Sequence, residues 1–127
     1  MRALLALALL PVLPACSDGP PVTVEITMHH SRFAPSTVTV PAGRAVRILL
    51  RNTDPIDHEW IVGDADVHAR HETGSEPAHD TVPTEVSVEA LDERLTTVVF
   101  DRPGTLAYVC HLPGHRDYGM SGTLVVR

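Results

Sequence analysis

The stretch VTVEITM, residues 22–28, alternates apolar and polar side chains at every position. Val22, Val24, Ile26 and Met28 fall on one side; Thr23, Glu25 and Thr27 fall on the other. A strand with one buried and one wet face has this period of two. The same beat returns in Val38 and Val40 between Thr37 and Thr39, in Val46, Ile48 and Leu50, and in Val86, Val88 and Ala90. Leu95–Phe100, Thr105–Cys110 and Gly122–Val126 add short β-rich runs, and Pro41-Ala42-Gly43 and Arg102-Pro103-Gly104 supply turns between them. No long helical pattern appears, and Glu89–Leu95 has room for one short helical turn at most. Such a succession of short strands predicts an all-β, two-sheet antiparallel sandwich.

One segment breaks the rhythm. Residues 63–83 are polar, rich in acids and histidines, and lack a strand pattern. They are expected to form one long inserted loop between a strand at His58–Val62 and another at Glu85–Ala90.

The chain has 127 residues, 43% of them hydrophobic and 20% charged, which fits one globular domain. A domain of this size buries roughly two thirds of its unfolded surface and can fold without disulfides. The net charge of −6 argues against a nucleic-acid partner. All 10 basic residues are arginine, a compositional bias from which no function follows.

The opening MRALLALALLPVLPAC has one arginine before an apolar run too short to span a bilayer, as a signal peptide does. It closes on Leu13-Pro14-Ala15-Cys16, which resembles a bacterial lipobox. That resemblance implies a signal peptide over 1–15, lipidation of Cys16, a tether over 16–21 and a working domain over 22–127. An ordinary secretory signal with an incidental Cys16 is the alternative. Either way the mature protein is expected to be exported, as a lipid-anchored protein on the outer face of a bacterial membrane or in the periplasm.

With Cys16 assigned to lipid, Cys110 stands alone in an oxidising compartment, where cysteines usually pair. A lone cysteine there is either buried and inert or a metal ligand. Its surroundings, YVCHLPGHRDYGM over 108–120, gather Cys110, His115 and Met120 into one segment with a Pro113-Gly114 turn. A fourth ligand at the same edge of the sandwich is expected from His58, in TDPIDHEWIV. Two imidazoles, a thiolate and a thioether form a soft donor set that suits copper in both oxidation states; zinc rarely takes methionine.

Cys-x4-His-x4-Met with an upstream histidine resembles the cupredoxins, the type I blue-copper family, and most of all the rusticyanin and auracyanin type of ligand loop. SRFAPSTVTVPAGRAVRILLRNTDPIDHEW, from Ser31 to Trp60, is similar to the first half of that family. The resemblance covers most of residues 22–127. It implies a Greek-key β-sandwich, one type I copper held in a plane by His58, Cys110 and His115, and Met120 on the axis. It also implies that the His115 ring edge, framed by Leu112, Pro113 and Gly114, is where electrons enter and leave. Each residue alone fits a plainer role: Cys110 in a packed core, His115 on the surface, Met120 as filler.

Two departures stand out. Glu59 follows the first ligand where the family often has asparagine or serine that ties the ligand loops together. His111 follows Cys110 directly, and strand alternation is expected to turn it outward, into water. His68, His71 and His79 lie in the inserted loop; a weaker second metal site, a solvated acidic loop and a docking surface for a basic redox partner all fit them. His29 and His30 are expected at a strand end in water.

The leading expectation is a monomeric electron carrier that meets redox protein partners, touches the membrane only through its lipid anchor and is no enzyme. No open catalytic position is identifiable, and the binuclear copper site of respiratory oxidases needs a second cysteine in the loop. A copper chaperone or storage protein is the alternative.

Overall fold

In the computed structural model, residues 19–73 and 81–127 are described. The proposed signal peptide, Cys16 with the first half of the tether, and His79 lie outside the described residues.

The alternating stretch at 22–28 is strand β1, Val22–Met28, with Ile26 and Met28 fully buried. β2 (Phe33–Ala34), β3 (Thr37–Val40) and β4 (Ala45–Asn52) follow. β4 buries Val46, Ile48, Leu50 and Asn52 and exposes Ala45, Arg47 and Arg51, as a strand with one wet face should. Next come β5 (His58–Gly63), helix α1 (Ala65–Glu72), β6 (Glu85–Val88), β7 (Glu93–Val99) and β8 (Gly104–Val109). The short helix α2 (His115–Tyr118) and β9 (Ser121–Val126) complete the domain.

The strands form a sheet of four, in the order β2-β1-β4-β7, and a sheet of five, β3-β9-β8-β5-β6. Their inner faces meet in a core of Ile26, Ile48, Leu50, Trp60, Tyr108 and Leu124, all fully buried. Trp60 anchors it; truncation of such a residue to alanine costs about 3–5 kcal/mol.

The expected sandwich is there, but its sheets are mixed rather than antiparallel. β1 pairs with β4 in parallel, and β3 with β9. The chain crosses from the first sheet at β2 to the second at β3, then returns, so β4 re-enters beside β1 in the same direction. Side-chain alternation is identical in parallel and antiparallel strands, so the sequence pattern does not distinguish them.

A second correction concerns residues 63–83, expected as a loop. They contain α1, started by Asp64, whose carboxylate accepts the N–H groups of Asp66 and Val67. Gly63 lets the helix lie on the end of β5: a Cβ there would stand 2.6 Å from Val67 Cβ. With α1 outside and β6 and β8 on either side, every residue of β5 is buried. Of residues 89–95, given room for one helical turn at most, 89–92 make a tight turn in which Leu91 has φ of 59° and 93–95 begin β7.

Candidate metal centre

The site lies where β5 begins and β8 ends. Asn52, buried at the end of β4, sets the first half. Its side-chain amide donates to the carbonyls of Ile56 (2.7 Å) and Glu89 (2.9 Å), and its Oδ1 accepts the N–H of Asp54 (3.0 Å). This fixes the turn that delivers His58 to the head of β5.

Asp54 then orients His58. The backbone N–H groups of His30 (2.7 Å) and Ser31 (2.8 Å) donate to its carboxylate, and His58 Nε2 lies 2.8 Å from Oδ2. Burial by itself would raise the Asp54 pKa, but the hydrogen bonds from Ser31, His58 and His30 outweigh it and hold the carboxyl at about 2. An ionised carboxylate only accepts, so Nε2 of His58 donates to it and Nδ1 is the ring nitrogen on the inner side. That nitrogen faces His115 Nδ1 at 3.2 Å. A carboxylate behind an imidazole is the arrangement that orients histidines toward metals.

Cys110 follows β8 and is fully buried. Its Sγ lies 3.2 Å from His115 Nδ1 and accepts the backbone N–H of Glu59 at 3.4 Å. The two ligand segments are thus tied by the main chain of residue 59, whatever its side chain. Burial pushes the thiol up to about 11; the N–H groups of Glu59 and Leu112 pull against this, while the Glu59 carboxylate adds to it. At neutral pH the free thiol keeps its proton. A cation that displaces this proton turns the sulfur into a thiolate.

His115 opens α2, and Gly114 before it has φ of 81°, a conformation that favours glycine. The ring is half-buried, and burial together with neighbouring His58 holds its pKa below the ordinary value. Neutral imidazole is the form that ligates. Met120 is fully buried in the same core as Cys110. Its N–H donates to the His115 carbonyl (2.9 Å) and its carbonyl accepts the N–H of Cys110 (3.1 Å), which ties the three residues into one loop.

The donor atoms of His58, Cys110 and His115 therefore lie within 4.8 Å of one another, although 57 positions separate the histidines. Sequence reading brought these three together and Met120 beside them. It missed Asp54, whose signal was a carboxylate four residues before the ligand histidine.

The other histidines divide. His29 and His30 are exposed at the end of β1, as expected. His111 is not turned into water. Its Nε2 lies 3.0 Å from Nδ1 of His68, and its ring stacks on His71 at 5.4 Å between centroids. Strand alternation fails there because β8 ends at Val109 and α1 covers the face onto which His111 turns. His68 is buried on the inner side of α1, and that burial holds its pKa below the ordinary value.

A family model described as a Cupredoxin-like domain matches residues 2–126. The chain belongs to the cupredoxin-like family. This cupredoxin is 32% identical over 109 residues to the copper-resistant cuproprotein CopI of Rubrivivax gelatinosus, an alignment covering 83% of this chain and 66% of that one. The chain therefore spans just under two thirds of that relative. Auracyanin-A of Chloroflexus aurantiacus is 32% identical over 126 residues, covering 87% of this chain and 77% of its own length. The crystal structure of reduced auracyanin from Roseiflexus castenholzii matches the fold with a TM-score of 0.72 at 22% identity, over 86% of this chain and 99% of that one.

Copper is the metal of this family, and the site fits it. A buried thiol with an N–H aimed at its sulfur and two imidazoles, one braced by a carboxylate, form a buried set of soft and borderline donors.

Proposed function

We propose that this cupredoxin carries single electrons outside the cytoplasm, through one type I copper that His58, Cys110, His115 and Met120 would hold. The observation that supports it most is the enclosed donor cluster: His58, Cys110 and Met120 are fully buried, and only His115 reaches toward the surface. When bound, copper supplies a one-electron couple between Cu(I) and Cu(II).

The chain's own residues do the rest. Asp54 holds the His58 ring so that Nδ1 faces inward in either state. The Glu59 N–H stabilises negative charge on the Cys110 sulfur and so sets the potential. The surrounding core keeps water and small substrates from the donors. The edge of His115 is the surface at which a redox protein partner docks. Export through residues 1–15 and a lipid on Cys16 would keep the carrier beside such partners at a bacterial membrane.

The test is titration of the purified domain with Cu(II) while its visible spectrum is recorded. An intense thiolate-to-copper band, bleached by ascorbate and restored by ferricyanide, is expected. A pale adduct would overturn the reading. Met120→Leu should keep the band and raise the potential; an unchanged potential would remove Met120 from the ligand set.

A second reading, copper delivery or storage, is favoured by the likeness to the copper-resistant cuproprotein CopI. Rapid surrender of copper to a competing chelator supports it. Retention of copper through repeated redox cycles supports the carrier.

A further inference from the structure

We propose that His68 Nδ1 and His111 Nε2 form a second metal site, beneath α1, for a divalent cation that prefers imidazole, Cu(II) or Zn(II). The inference does not depend on the function proposed for the Cys110 site.

Three observations support it. First, the two nitrogens stand 3.0 Å apart, close to the 3.2 Å that separates His58 and His115 in the first cluster. Ligand nitrogens each ~2.0–2.1 Å from one ion lie roughly 3 Å apart when they occupy neighbouring positions around it. Second, the outer side of each α1 histidine is already fixed. His68 Nε2 donates to the Ala107 carbonyl (3.3 Å), which leaves the lone pair on Nδ1, the atom that faces His111. His71 Nδ1 donates to the Val67 carbonyl (2.8 Å), which fixes the His71 ring beside the pair. A backbone carbonyl behind the ring is how proteins orient metal-binding histidines. Third, a cation can reach the group, and the acids Glu85 and Glu72 offset the Arg116 guanidinium beside it. Glu85 places a carboxylate oxygen 3.6 Å from His71 Nε2, and a surface cleft lined by His71, Glu72, His111 and Arg116 opens onto the group.

With two protein nitrogens, the remaining positions fall to water on the cleft side. The site should therefore bind more weakly than the enclosed thiol cluster and exchange its metal faster.

The experiment is Zn(II) titration of the full chain, already loaded with copper, followed by calorimetry and by the histidine ring resonances in NMR. One further equivalent is expected, with shifts at His68 and His111. His111→Ala and His68→Gln should each weaken that uptake about tenfold or more while leaving the visible copper band unchanged. Equal uptake by the wild type and both variants, or shifts confined to His29 and His30, would overturn the site. If His68→Gln fails to fold, His111→Ala still decides, because its side chain is only half-buried. If the visible band never forms, the reading of the first site fails, yet the difference in Zn(II) uptake between wild type and His111→Ala still reports on the second.

Discussion

Cys110 and His111 are neighbours in the chain, yet they belong to two different clusters. Cys110 faces the sandwich interior, where its partners are His58 at the head of β5 and His115 at the start of α2, tied by main-chain hydrogen bonds through Glu59 and Met120. His111 turns under α1, where its partners come from a helix face beside an open cleft. One peptide thus separates a mostly buried donor set from one that lies beside a surface cleft. Burial strengthens each interaction around the thiol and excludes competing water. The cluster under α1 has buried rings and one side toward a surface cleft.

The comparison can be broken at either end. The largest effect is expected from Cys110→Ala, which should abolish the visible thiolate–copper band altogether; a band that survived would separate colour from this sulfur. Next is Asp54→Asn. The ring of His58 would lose its charged brace, and copper affinity at the first cluster should fall about 10–100-fold in competition titrations. No such loss is expected at the His111 side, so the ratio of the two affinities sharpens the contrast.

A third expectation concerns acid. The Asp54 carboxyl is held at about 2 in the fold, against an ordinary value of 3.8. A folded value below the unfolded one means that stability is present above the unfolded value and is lost as pH falls from about 4 toward 2. The gap corresponds to about 2 kcal/mol. Urea melts of the metal-free protein should therefore show the penalty of Asp54→Asn shrinking by about that much across this range. A penalty constant with pH would show that Asp54 is not ionised below its ordinary value. The smallest effect is expected from Asp64→Ala, which removes the cap of α1. Stability should drop by about 1 kcal/mol. Zn(II) uptake at His68 and His111 should weaken, and the copper band should stay in place.

How much of this could be read from the residues alone differs between the same two regions. The strands were legible because burial on one face imposes a period of two, and Val22–Met28 and Ala45–Asn52 show it plainly. The proposed ligands Cys110, His115 and Met120 could be named because one short segment carries all three, and His58 because a polar turn hands over to an apolar strand there. Helix α1 was not, because ADVHARHE has no apolar stripe: the residue it buries is His68. Without hydrophobic periodicity, only Asp64 as a cap pointed to a helix. Asp54 was illegible for another reason. Its meaning depends on two N–H groups more than 20 residues earlier, in a turn that no local pattern connects to His58. The outward turn expected of His111 rested on strand alternation, which stops one residue before Cys110.

The turn at His30 and Ser31 carries one more consequence. Both residues have positive φ, 50° and 51°, outside the usual range for side chains of their kind, and this strain aims their two N–H groups at one carboxylate. A surface bend that contributes no donor atom thereby governs which face of a buried ring is offered to the ion. A survey limited to the coordinating residues would overlook it, and a change at that bend would tune the centre from outside.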